Sequence, residues 1–153
     1  MIEIYKGDIF KAPIDIIIHQ ANCMCVMGAG IAKKIKQIYP RAYEVDQMTK
    51  KGDHKKLGQF TVAMANEDQD KYIFNMYGQY GYGRDKQYTN YIAVAQGLKN
   101  ILYWLNKAKM QGKRIGIPYK MGCNNGGAEW NIIEGLIRTT FEDSSYNVLI
   151  CQQ

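Results

Sequence analysis

Residues 19–32 read HQANCMCVMGAGIA and residues 118–130 read PYKMGCNNGGAEW. Each segment leaves a hydrophobic strand, passes through glycines and opens an amphipathic helix. A backbone delivered into glycines at a helix start leaves amide N–H groups unpaired at the positive end of the helix dipole, where phosphate binds. One such turn would be explained by the tight reversal between strand and helix. Two turns, both at strand carboxyl ends, predict a clamp closing on a diphosphate.

The elements around these turns set the fold. Ile2 and Ile4 alternate before a Lys6-Gly7-Asp8-Ile9 turn. The unbroken apolar run of residues 14–18 predicts a strand buried on both faces, as in a sheet between helices. A first helix starts near Gly30 with Ile31, Ile35 and Ile38 on one stripe and is interrupted at Pro40. A second is expected over residues 41–51, stopped by Gly52. Strands follow at residues 59–65 and 71–77, with a polar turn at 66–70 between them. A glycine and tyrosine loop (78–85) leads to a helix over 89–110, and a short strand (114–119) feeds the second glycine turn. Trp130, Ile133, Ile137 and Phe141 stripe a last helix before a strand at 146–151. Strands and helices alternate without linker or repeat, which predicts one α/β domain over residues 1–153, with a central mixed sheet and helices on both faces.

Composition narrows the chemistry. The 153 residues are 46% hydrophobic and 22% charged, ordinary for a globular protein with a real core. No apolar run approaches the roughly 20 residues of a membrane span, and the strand-like start does not resemble a signal peptide, so cytoplasmic residence is expected. Cys23, Cys25, Cys123 and Cys151, with only His19 and His54 beside them, match no zinc spacing, so no metal and no cofactor are expected. The net charge of +6 favours anionic partners, but the lysines are scattered. Lys50, Lys51, Lys55 and Lys56 around Gly52 read as a solvated loop rather than a nucleic-acid patch.

Several side chains could carry chemistry. The Asp8 carboxylate beside the Ile9 N–H could read the amino group and neighbouring ring nitrogen of adenine. His19 ends a buried run, where a histidine is commonly a packed, hydrogen-bonded residue. Asp85 follows Arg84, and an internal ion pair would account for it. Glu129 is placed as a first-turn acid favouring the helix dipole. Asn22 either faces the ligand or hydrogen-bonds its own turn. Tyr80, Tyr82, Tyr88 and Arg84 could close over a ligand's distal end or simply pack together.

Through KGDIF (6–10), HQANCMCVMGAGIA (19–32), NMYGQYGYGRDKQYTNY (75–91) and PYKMGCNNGGAEW (118–130), nearly the whole chain resembles a macrodomain, the three-layer α/β/α fold that binds ADP-ribose. The nearest branch is that of terminal ADP-ribose glycohydrolases and ADP-ribose-1''-phosphate phosphatases. The resemblance implies that Asp8 and Ile9 hold the adenine. It places the backbone of Gly28, Ala29, Gly30 and Ile31 on phosphate and distal ribose, with Asn22 facing that ribose. Gly122, Cys123, Asn124, Asn125, Gly126 and Gly127 would wrap the diphosphate from the other side, with Gln79 and Tyr80 at the distal end.

The chain also departs from that branch. The branch carries a lysine just after the strand containing Tyr77, where this chain has Gln79, and an aspartate inside the second glycine turn, where it reads Asn124-Asn125-Gly126-Gly127. Glutamine cannot form a Schiff base with an opened ribose, and an amide is no carboxylate base. The candidates left for chemistry are Asn22, His19 and Asp85. The sequence therefore predicts a non-catalytic binder or sponge for ADP-ribose or a distal-ribose conjugate, such as an NAD-derived signal of TIR-type bacterial defence. A hydrolase of ADP-ribose-1''-phosphate or ADP-ribosyl esters is the alternative.

Overall fold

The computed structural model describes residues 1–65 and 71–153; the polar turn expected at 66–70 lies outside them. Strands β1 (Ile2–Lys6), β2 (Ile16–Asn22), β3 (Phe60–Met64), β4 (Tyr72–Gln79), β5 (Arg114–Pro118) and β6 (Asn147–Gln152) form one sheet in the order β1-β6-β5-β2-β4-β3. All neighbours are parallel except β3, which runs antiparallel to β4 at the edge. The parallel strands therefore end on one edge of the sheet, where an α/β fold builds its crevice.

Helices cover both faces. Helices α3 (Tyr91–Lys107) and α4 (Trp130–Phe141) pack Val94, Leu98, Ile101, Ile133 and Ile137 against Ile16, Ile18, Phe74, Ile117 and Ile150. On the opposite face, α1 (Gly30–Ile38) and α2 (Pro40–Gln47) pack Ile35, Tyr39 and Ala42 against Ile17, Ile73 and Leu149. Ile16, Ile17 and Ile18 are fully buried, as a strand covered on both faces requires. The three-layer architecture and mixed sheet are those expected. Among the described residues no helix is long and apolar enough to cross a membrane.

Some boundaries fall elsewhere, each for a local reason. The central strand begins at Ile16 rather than Ile14, because Ile14 turns into the core over Gly116. A Cβ on Gly116 would lie within contact of the Ile14 Cδ1 atom, so glycine is what lets Ile14 fill that place. β2 then continues past its apolar run to Asn22, paired with β4 through a register shift at Ala21/Asn22 that sets Asn22 opposite Gln79. β4 likewise ends at Gln79, not Tyr77. The first helix stops at Ile38, ahead of Pro40 as expected, and Pro40 itself opens α2 at its first position, where a missing N–H costs nothing. That helix ends at Gln47, where the Thr49 hydroxyl caps the Asp46 carbonyl at 2.6 Å. α3 starts at Tyr91 because the Asn90 side chain accepts the Ala93 N–H.

The lysine cluster also departs from expectation. Lys50, Lys51 and Lys55 are exposed, but Lys56 is buried. Its Nζ donates to Thr49 Oγ1 at 2.6 Å and the Cys23 carbonyl at 3.2 Å, beneath the Tyr77 ring. Buried Asp46 accepts the Tyr77 hydroxyl at 2.7 Å nearby, so the cation serves the loop from inside.

Replacing Gly116 by Ala should overpack this contact and lower stability by about 1–3 kcal/mol. Trimming Ile14 to Val in the same chain removes the crowded Cδ1, and the double variant should unfold at a higher denaturant concentration than Gly116→Ala alone. Urea titration of both variants checks this.

Candidate functional site

The cleft is a consequence of where β2, β4 and β5 end. It encloses about 350 Å³ between the residues leading into α1 and the turn after β5. A second hollow of about 310 Å³ continues it past Ile31, Pro118, Tyr119, Lys120 and Asn124 toward Asp8 and Ile9, at the ends of β1 and β6. An elongated site along the strand ends results.

The first wall is backbone. Ala29 caps α1 in an extended conformation, and no side chain accepts the first-turn amides. Gly30 has φ +59, a left-handed conformation that suits glycine. The second wall is a run of turns in which Lys120, Gly122 and Gly127 have φ between +58 and +76. A Cβ on Gly126 would collide with the Gly122 carbonyl and the Thr89 hydroxyl, so this turn closes on itself only with glycine. The walls approach at the mouth, where Asn125 Nδ2 would stand 3.8 Å from a Cβ on Gly30.

Among the described residues Lys120 is the one charged side chain lining the cleft, and no carboxylate lines it. Lys34 and Asp8 line the neighbouring hollow. Unpaired first-turn amides facing a lysine across an otherwise uncharged cleft suit an anion at its centre.

The site residues named from sequence fall into three groups. Gly28, Ala29, Gly30, Ile31, Asn22, Gln79, Gly122, Asn124, Asn125 and Gly126 line the cleft, and Asp8 and Ile9 line the adjoining hollow. Several of these are engaged internally. Asn22 donates to the Val26 carbonyl at 2.8 Å and accepts the Met24 N–H at 2.9 Å, so its amide shapes the turn. Gln79 donates to the Gly81 carbonyl at 2.8 Å and accepts from Gln20 Nε2 at 2.7 Å. Asp8 accepts the Phe10 N–H at 3.0 Å.

Four named residues lie off the lining. Tyr80 is turned away, its ring stacked on His54 at 3.7 Å and its hydroxyl donating to the Gly52 carbonyl; Tyr82 lines the cleft in its place. Cys123 bonds back to the Met121 carbonyl, and Gly127 packs against Lys86 and Gln87. Asp85 accepts the Tyr88 hydroxyl at 2.5 Å, which holds its carboxyl below the usual range. The expected Arg84–Asp85 pair does not form, since Arg84 Nε donates to Asn125 Oδ1 at 2.9 Å. Glu129 is the cap residue of α4 and makes no side-chain bond to its amides.

His19 lines the cleft but is 1% exposed. Asn75 Nδ2 donates to the Ala42 carbonyl and Thr61 Oγ1, so Asn75 Oδ1 must accept from His19 Nε2, at 2.6 Å. The proton is thereby assigned to Nε2. Burial pushes the imidazole down to about 4 despite that bond. A neutral ring this weakly basic does not collect protons near pH 7.

Tyr82 lines the cleft as the distal-end aromatic the sequence offered, whereas Gln20, Thr89 and Lys120 are not singled out by the sequence motifs. Gln20 carried a signal, a long amide within a strand whose neighbours are apolar, while Thr89 was visible only as a helix start.

An α/β/α sandwich with a cleft along its strand ends, walled by two glycine turns, is the architecture the sequence predicts. The chain belongs to the Macro domain family, whose profile matches residues 18–136. It is 32% identical over 146 residues to an uncharacterized 17.5 kDa protein of the tk-vs intergenic region of Enterobacteria phage T4, covering 91% of this chain and 89% of that one. It is 24% identical over 143 residues to a DNA ADP-ribosyl glycohydrolase of Thermus aquaticus, covering 93% of this chain but 38% of that protein. The solved structure of Thermosipho africanus DarTG in complex with ADP-ribose superposes with a TM-score of 0.76 at 21% identity, over 95% of this chain and 39% of that one. The likeness to that structure is one of fold.

His19 makes stability depend on pH. Its folded value, about 4, lies below the ordinary imidazole value of 6.5, so the unfolded chain binds the proton first as pH falls. Stability contributed by the neutral ring is present above 6.5 and is lost between about 6.5 and 4, on the order of 3 kcal/mol in all. Urea midpoints over this range should fall more steeply for the wild type than for His19→Gln, which does not titrate.

Proposed function

We propose that this protein binds a free ADP-ribose-type nucleotide carrying a substituent on its distal ribose, and holds it without turnover. The adenine would sit in the hollow at Asp8 and Ile9, with the diphosphate between the α1 amides and the 120–127 turn. The distal ribose would lie toward Asn22 and Gln79. The observation that carries the reading is the chemistry of the cleft lining: Lys120 and backbone amides to hold an anion and, among the described residues, no carboxylate to act as base. The neutral, weakly basic His19 does not replace one. Gln79 stands where the resembling glycohydrolases carry lysine, and its amide is already engaged on both sides. A general base or Schiff-base nucleophile is what hydrolysis of a ribosyl bond would need.

Beyond the distal ribose, Tyr82 is 55% exposed beside the cleft and presents a ring face for a substituent. A binder that withholds such a molecule would act as a sponge for NAD-derived signals, including those made by TIR-type enzymes in bacterial defence. The name of the Thermus aquaticus relative favours the rival reading, an ADP-ribosyl hydrolase acting with a positioned water.

Calorimetry with ADP-ribose should give a dissociation constant near or below about 1 μM, or about 8 kcal/mol. Asp8→Ala should weaken it at least several-fold. Ligand recovered after denaturing the complex should be intact. Release of phosphate from ADP-ribose-1''-phosphate, or of the substituent from a distal-ribose ester, at catalytic protein concentrations would establish the hydrolase instead.

A further inference from the structure

We propose that Gln20, Gln79 and Thr89 are positioning residues. Their side chains form a one-way hydrogen-bond relay that locks the loop of residues 78–89 to the second glycine turn and so fixes the wall gripping the diphosphate. The role in binding rests on the ADP-ribose reading above, whereas the relay itself does not.

The direction of the relay is fixed by its two ends, both backbone carbonyls that can only accept. Gln79 Nε2 donates to Gly81 O at 2.8 Å, so Gln79 must turn its Oε1 inward. That oxygen accepts from Gln20 Nε2 at 2.7 Å, and the same NH₂ group donates to Thr89 Oγ1 at 2.8 Å. The Thr89 hydroxyl hydrogen then goes to Gly122 O, again at 2.8 Å. No amide in the chain can be flipped without setting donor against donor or acceptor against acceptor.

The orientation leaves Gln20 Oε1 buried with no partner. It lies in a slot between two glycines, where a Cβ on Gly78 would stand 2.6 Å away and a Cβ on Gly122 2.8 Å away. An orphaned acceptor costs stability, so the arrangement is held by what the Gln20 NH₂ group secures. Three segments meet at that group: the end of β4, the approach to α3 and the turn after β5.

Backbone bonds extend the lock. The N–H groups of Tyr88 and Thr89 both donate to the Gly126 carbonyl, and Asn90 N–H donates to Gly78 O. Within the turn, Ala128 N–H shares the Gly122 carbonyl with Thr89, and Gly127 N–H bonds Cys123 O. Side-chain relay and backbone bonds therefore make the loop and the turn one body. Gln79 is part of that body, so its place in the cleft is structural. Lysine at 79 could still donate to Gly81 O, but its ammonium would face the Gln20 donor and push the relay apart.

Thr89→Val keeps the side-chain shape and removes the hydroxyl. It should speed amide exchange of Tyr88, Thr89 and Asn90 together with Cys123, Gly127 and Ala128 in the free protein. It should also weaken ADP-ribose about tenfold, the factor of one lost hydrogen bond of about 1.4 kcal/mol. AMP, held largely at the Asp8 end, should change little. Thr89→Ser should restore both readouts, and Gln79→Lys should reproduce the Val effects from the other end. Faster exchange in only one of the two segments, or failure of Ser to rescue, would overturn the relay. Equal weakening of AMP and ADP-ribose would overturn its local role. If the wild type binds no ADP-ribose, the reading of the cleft fails, and the exchange arm alone decides the relay.

Discussion

The constraint on which the structure depends is the continuation of β2 beyond its apolar run. Ile16, Ile17 and Ile18 would hold a strand in place by burial alone, but the strand runs on through His19, Gln20, Ala21 and Asn22. Parallel pairing with β4 obliges polar side chains to enter the interior, where an unbonded polar group costs several times what a made hydrogen bond returns. Each is met by a different neighbour. His19 bonds Asn75 on β4, Gln20 bonds Gln79 and Thr89, and Asn22 bonds the turn that leads into α1. One strand end thus fixes β4, the α3 approach and both walls of the cleft.

This division of labour separates the site into parts that touch a ligand and parts that hold them. The groups presented to the cleft are main-chain amides at Gly30 and its neighbours, together with Lys120. The side chains around them are turned into scaffold. A cleft built this way changes little when an anion arrives, because its donors are already aimed and its scaffold bonds are already made. Preorganisation of that kind favours affinity, since little ordering remains to be done on binding. It also leaves few groups free to move protons.

Much of this architecture could be read from the residues. The order of strands and helices, the sheet covered on both faces and the two glycine turns all follow from periodicity and from Gly and Pro positions, which act over a few residues. Boundaries at Gln79 and Asn22 could not, because they depend on a partner strand more than fifty residues away. Burial of Lys56 was hidden for the same reason: its acceptors, Thr49 and the Cys23 carbonyl, meet only when the loop folds over Tyr77. Tyr80 and Tyr82 are chemically equivalent in the sequence, and only the stacking of Tyr80 on His54 decides which one faces the cleft. Composition identifies candidate groups, whereas tertiary contacts assign their direction.

The same distinction bears on what the fold can do. A cleft wall made of backbone depends on chain geometry rather than on side-chain identity, so it can persist through wide sequence change. Hydrolysis would add two or three side chains to that wall, and those are free to be lost without disturbing it. At position 79 an amide and an ammonium would differ in what they can bond. An amide both donates and accepts, so it can be the middle link between Gly81 and Gln20, which a lysine cannot. The Gln79 amide spends both its donor and its acceptor on the loop and on β2, so at this position the side chain is committed to holding the cleft wall.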